Sequence, residues 1–143
     1  MNKTLQQVGI WVDTQEAHIV RLTETGATLQ TVPSGIEGHV REPGQGKPEG
    51  RFGDQYVDPA KTLQRKRNQE IEAYLQDILD QLSSNDEVVL FGPAQMKHRL
   101  AKAIRARQTL DEQLLGIVTA DKMTDKQTIA WVKDFYEKLG LGR

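Results

Sequence analysis

The sequence predicts an α/β protein with a mixed sheet and helices packed on it, and three observations lead there. β-branched and aromatic runs crowd the chain as far as Val32, an apolar stripe at helical spacing follows from Ile71 to Leu82, and residues 83 to 137 then read strand, helix, strand, helix. The expected order is therefore βββ, loop, αβαβα. At 143 residues the chain fits one domain, 1–143, large enough to bury a core.

Val8-Gly-Ile-Trp-Val12 and Ala17-His-Ile-Val-Arg-Leu22 flank the polar Asp13-Thr-Gln-Glu16 and read as a hairpin. After Glu24-Thr-Gly26, the alternation in Ala27-Thr-Leu-Gln-Thr-Val32 adds a third strand. Periodicity then stops. From about 33 to 57 the chain is rich in Gly and Pro, a structureless length that compact domains keep mainly for function. Asp58-Pro59 supplies an N-cap and a first-turn proline for a helix whose Ile71, Tyr74, Leu75, Ile78, Leu79 and Leu82 share one face, ending at Ser83-Ser-Asn-Asp86. Val88 to Phe91 reads as a strand, and Gly92-Pro93 opens a helix with Met96, Leu100, Ala103 and Ile104 on one side. Gln113 to Thr119 is a further strand, weakened by Gly116. The last helix starts at a capping box, Thr124 with Gln127, turns Ile129, Val132, Phe135 or Tyr136, and Leu139 to the core, and stops at Gly140.

Composition removes several function classes. Without cysteine there is no disulfide framework and no thiolate metal site, and His18, His39 and His98 are widely scattered, so no metal and no cofactor is expected. The start, Met1-Asn-Lys-Thr-Leu-Gln-Gln, has no apolar signal core, and no later run is long enough to span a bilayer; a cytoplasmic protein with no membrane partner is expected. A formal net charge of −1 argues against a uniformly basic nucleic-acid binder but leaves local charge open.

Local charge is where the sequence becomes informative. From Ala94 to Leu110 there is no acidic residue, and helical projection sets Lys97, His98, Lys102 and Arg105 away from the apolar stripe, with Arg99 and Arg107 at its margins. Ordinary surface helices mix signs for i,i+4 pairing, so an all-cationic face suits phosphate. The competing reading is a solvated face balanced by acids such as Asp77 and Asp80. A second cluster joins Arg41, Lys47 and Arg51 of the loop to Lys61, Arg65, Lys66 and Arg67 of the first helix, where cations oppose the macrodipole. RNA backbone suits that arrangement; a surface loop with charge offset by Glu42, Glu49, Asp54 and Asp58 is the bland alternative.

Other chemistry reads weakly. Gly92-Pro93-Ala94 lacks the spacing of a phosphate-binding loop and reads as a tight turn. Asp13, Glu16 and Asp121 at strand ends suggest a metal-dependent nuclease only by analogy, since turn formation accounts for Asp13. No serine sits in a nucleophile elbow. Trp11 and Trp131 occupy positions that suit packing rather than base stacking.

Taken in order, Gly9-Ile-Trp-Val-Asp13, Glu16-Ala-His-Ile-Val20, the glycine-rich loop, the basic helix from Lys61, and Val88-Val-Leu-Phe-Gly-Pro-Ala94 with Lys97 resemble a known family. It is the middle domain of the archaeal and eukaryotic class-one peptide release factors, of Pelota, and of their single-domain bacterial relatives. The resemblance implies a ribonuclease H-like fold, that of a translational machinery component. It also implies a translation-associated, ribosome-associated or RNA-binding role, in rescue or dormancy, with ribosome, rRNA or tRNA as partner. Release factors carry Gly-Gly-Gln in the long loop; here Pro43-Gly44-Gln45-Gly46 matches at Gly44 and Gln45 only, and Pro43 lacks the freedom of a first glycine. The resemblance therefore carries Gly44 and Gln45 over as catalytic candidates for a peptidyl-tRNA ester hydrolase, the alternative to a non-enzymatic binder. A third reading is a protein-interaction module without RNA. A lone middle domain would bind through shape and charge, or through self-association.

Overall fold

A computed structural model describes residues 6–36, 58–107 and 114–140. The elements run β1 (Gln6–Val12), β2 (Glu16–Thr23), β3 (Gly26–Pro33), α1 (Pro59–Leu79), β4 (Asp86–Gly92), α2 (Met96–Ala106), β5 (Leu114–Thr119) and α3 (Asp125–Lys138). This is the βββ, αβαβα order that the residue patterns imply. One five-stranded sheet has the order β3-β2-β1-β4-β5. β1 pairs antiparallel with β2, and β2 with β3, whereas β1–β4 and β4–β5 are parallel. The mixed sheet expected from the sequence is therefore present. β1 is its seam, carrying an antiparallel ladder on one side and a parallel ladder on the other.

Burial on both faces explains why β1 and β4 are nearly continuous apolar runs. Val8, Ile10 and Val12 of β1 and Val88 and Leu90 of β4 face α1 and α2; Trp11, Val89 and Phe91 face α3. Period-2 alternation thus feeds two cores, and α1 and α2 share one of them. α3 comes unusually close to the sheet. A Cβ on Gly9 would lie 2.4 Å from Val132 Cγ2, so this strand position must be glycine for the helix to seat. Tyr136 closes the contact by donating its hydroxyl to Val8 O at 2.8 Å and Glu87 O at 2.9 Å. Burial there pushes its phenol well above the usual tyrosine range.

The caps read from the sequence are in place. Asp58 accepts from the Ala60 N–H ahead of Pro59, and Thr124 and Gln127 form both arms of the capping box. Gly140 follows α3 with φ 76°, a left-handed value suited to glycine. Three details differ from expectation. α1 ends at Leu79 rather than at Ser83, and Asp86 is a fully buried first residue of β4, gripped by Arg21 at 2.9 and 3.2 Å and by the Ser83 N–H at 2.9 Å. Leu139 caps α3 and is 46% exposed instead of facing the core. Gly116 stays within β5, where the ladder has a bulge between the Val88 and Val89 pairings, and a Cβ on it would meet Phe135 at 3.8 Å, an ordinary contact.

Candidate nucleic-acid interface

α1 has 21 residues, yet its buried residues are Ile71, Tyr74, Leu75, Ile78 and Leu79, all in the second half. The reason is composition: before Ile71 the only large apolar residue is Leu63, which is 66% exposed. Every residue from Pro59 to Gln69 is exposed. At about 1.5 Å per residue, these turns form an arm of roughly 16 Å that no described element covers. Tyr74 anchors the docked part about one turn inside its start at Ile71. Its hydroxyl donates to Asp13 O at 2.8 Å, just beyond β1, and burial, with the Asp13 and Glu16 carboxylates nearby, raises its phenol far above the ordinary value. The arm therefore extends from the edge where β1 ends.

The sequence-derived cations of α1 all fall on this arm. Lys61, Arg65, Lys66 and Arg67 are exposed, and none is ion-paired with another described residue. With no acid in the first turn, Lys61 sits where the helix dipole disfavours positive charge, and it stands i,i+4 from Arg65, a like-charge pair. A phosphate backbone would reverse that penalty.

α2 lies on the same side of the sheet as α1, and Arg107 reaches Asp80 at 3.5 Å between their C-terminal ends. His98, Lys102 and Arg105 are exposed at i, i+4 and i+7, with Arg99 exposed beside them. Lys97 corrects the helical projection. It is 3% exposed, packed with the core-facing residues of α2, and its Nζ donates to Ala94 O. The signal was in the spacing: Lys97 precedes the buried Leu100, Ala101 and Ile104 by three, four and seven residues, which puts it on their face. The structure thus brings Lys61, Arg65, Lys66 and Arg67 together on the arm, and Lys102 and Arg105 together on α2. Arg41, Gly44, Gln45, Lys47 and Arg51 lie outside the described residues.

The remaining candidates resolve as architecture. Gly92, at φ 145°, presses against β1, where a Cβ would meet Val12 O at 2.3 Å, and its own carbonyl accepts from the Ala120 N–H at 3.0 Å. The segment is a tight packing turn, and Gln95 gives α2 no side-chain cap. Asp13 accepts from the Gln15 and Glu16 N–H groups at 2.8 and 3.0 Å, which is the turn role expected of it. Glu16 is engaged by Lys122 at 2.7 Å and His18 at 3.1 Å, and the Lys122 hydrogen bond is the chief cause holding its carboxyl below the usual range. Asp121 contributes its backbone carbonyl to the Trp11 indole N–H at 3.3 Å. Among the described residues no group of three or more such side chains is placed to hold a metal.

Sequence reasoning missed the clasp around Glu16. His18 Nδ1 meets Thr31 Oγ1 at 3.2 Å while Lys122 stands 5.4 Å from the Trp11 ring centre, so β1, β2, β3 and the segment before α3 are tied at one corner. Only the Glu16/His18 spacing of two hinted at it; the rest depends on the His18–Thr31 register. Both tryptophans pack as expected: Trp11 is buried, and Trp131 stacks on Phe91 with ring centres 3.8 Å apart.

With sheet order and helix placement in hand, the class is an α/β domain with a mixed sheet between two helical layers, and known structures share it. The chain is similar to the Pelota protein of Thermoplasma acidophilum (17% identity, 96% of this chain and 36% of that one, TM-score 0.52). It is also similar to Archaeoglobus fulgidus Pelota (9% identity, 93% and 32%, TM-score 0.53). An archaeal translation termination factor, aRF1, aligns over 95% of this chain and 40% of its own at 12% identity and TM-score 0.49. The chain spans about a third of the length of the Pelota chains it matches. The two Pelota superpositions show a common fold. No protein-family model and no curated protein sequence matches the chain. No helix among the described residues is long and apolar enough to cross a membrane.

Proposed function

We propose that this chain is a translation-associated RNA-binding protein that contacts structured RNA, foremost ribosomal RNA, through the α1 arm and the outer face of α2. One observation carries the reading: a helical arm, exposed on all sides, bears Lys61, Arg65, Lys66 and Arg67 with no intramolecular ion pair among the described residues. Exposed cations release counterions when they meet phosphate, and that release drives association. Lys102 and Arg105 add a second contact on the same side of the sheet. Lys97 is excluded by its burial. The fold shared with Pelota supports a ribosomal setting.

Co-sedimentation with ribosomes and separated subunits across a salt series tests the proposal, with an Arg65→Gln/Lys66→Gln/Arg67→Gln variant alongside. Wild-type binding should weaken steeply with salt. The variant should bind more weakly, with a log–log salt slope shallower by about 2 to 3, since each lost phosphate contact removes roughly 0.7 to 0.9. Equal binding and equal slope for the two proteins would take the arm out of the interface; no wild-type binding at low salt would remove the RNA reading altogether.

A further inference from the structure

We propose that the outward face of α1 is also a self-recognition surface, on which a second copy of this chain docks antiparallel and covers the arm. Lys61, Arg65, Lys66 and Arg67 occupy the first half of the helix without an acid, whereas Glu70, Glu72 and Asp77 occupy the second half without a base. At about 100° per residue, Lys61, Arg65, Lys66, Glu72 and Asp77 fall within an arc of about 160°, opposite the buried Ile71, Tyr74, Leu75 and Ile78, with the buried Leu79 at the edge of the arc in line with Lys61. Cationic and acidic patches therefore follow one another along a single exposed face. A two-fold axis near Asn68 turns that succession into complementarity, because each cationic half meets the acidic half of its partner.

The register follows from the same projection. Thr62, Gln69, Ala73 and Gln76, all exposed, form an uncharged central strip where two helices can approach. Arg65 and Glu72 flank the strip on one side, and Lys66 and Glu70 on the other. Antiparallel pairing about the axis sets Arg65 opposite the partner's Glu72 and Lys66 opposite the partner's Glu70, each pair formed twice. None of these four is ion-paired with another described residue, so none has to leave an intramolecular partner. The arm overhangs its own body, so it reaches the partner's α1 without a clash between cores. Antiparallel packing also sets each misplaced charge against the favourable end of the other helix's dipole.

Such a contact is small and polar, which makes the dimer weak and salt-sensitive. It also competes for cations that phosphate would neutralise. The regulatory consequence, that dimer and RNA complex exclude one another, rests on the RNA reading above; the dimer itself does not.

Sedimentation equilibrium of the full chain at 20 mM and 500 mM salt is the direct test, with Arg65→Glu/Lys66→Glu and Glu70→Lys/Glu72→Lys variants. We expect a monomer–dimer equilibrium for the wild type at low salt that vanishes at high salt, and monomers for each variant alone. Mixing the two variants should restore association as a one-to-one heterodimer, and the quadruple charge-swapped chain should dimerise again. A wild type that stays monomeric at low salt and millimolar concentration, or variants that do not rescue one another, would overturn the proposal. Circular dichroism of each variant separates misfolding from lost pairing. Ribosome co-sedimentation of Glu70→Lys/Glu72→Lys, which keeps every arm cation, separates the two readings: retained ribosome binding with lost dimerisation is expected. Failure of both proteins to bind ribosomes while the wild type dimerises would sink the RNA reading and leave the dimer.

Discussion

In α1, the turns before Glu70 present four cations to solvent on every side, whereas the turns after it bury Ile71, Tyr74, Leu75, Ile78 and Leu79 against the sheet. The helix is continuous, so cap, geometry and hydrogen-bond ladder are shared. What differs is the source of stability. The docked half is held by removal of apolar surface from water, and the arm by propensity and by propagation from an already formed helix. A single element can thus carry a structural half and an interaction half whose energies are nearly independent.

Mutations should separate the two. Ile78→Ala, at a fully buried position, should cost about 2 to 5 kcal/mol in urea denaturation. Tyr74→Phe, which removes the hydrogen bond at the boundary, should cost about 1 kcal/mol by the same measurement. Asp58→Ala removes the arm's cap; the expectation is faster amide hydrogen exchange in Ala60 to Gln69 with the denaturation midpoint unmoved, because the first turns open without the core. A midpoint that falls by the full value of a cap, about 1 kcal/mol, would show that arm and core unfold together. Replacing Arg65, Lys66 and Arg67 by Gln should raise stability by a few tenths of a kcal/mol, by relieving the like-charge i,i+4 pair of Lys61 and Arg65. Leu63→Ala should change it by less than about 0.5 kcal/mol.

A smaller test concerns the corner clasp. Because the folded-state carboxyl of Glu16 lies below its ordinary 4.5, the Lys122 pairing contributes stability above that value and loses it as pH falls through the lower folded value. Lys122 is raised by the same contact, so the contribution also fades as pH rises past its ordinary 10.5. Lys122→Met should therefore lower the thermal midpoint slightly at pH 7 and by less at pH 3. An equal drop at both pH values would mean the loss is one of packing rather than charge.

Most of the fold was legible because its signals are local. The Asp58-Pro59 start, the Thr124/Gln127 box and the alternating runs of β1 to β3 each determine backbone geometry from neighbouring residues. The arm was half legible: Arg65 to Arg67 were evident as charge, while their overhang follows from the absence of apolar residues between Leu63 and Ile71. Lys97 is the exception, because its charge masks a position with core-facing periodicity; the aliphatic stem packs with the core-facing side of α2 and the ammonium reaches a backbone carbonyl. The Glu16–His18–Thr31–Lys122 clasp joins residues up to 106 positions apart, and only pairing register brings such residues together.

The succession of charge along α1 has a further consequence during approach to any charged body. Counting its two caps, Asp58 and Asp80, the helix carries four cations and five carboxylates, so it is close to neutral as a whole while its two halves have opposite sign. Such an arrangement feels torque rather than net attraction: in the field of a polyanion the molecule turns before it docks, leading with Lys61 and trailing the acidic end. A chain whose total charge is −1 can in this way meet a negatively charged surface in one orientation.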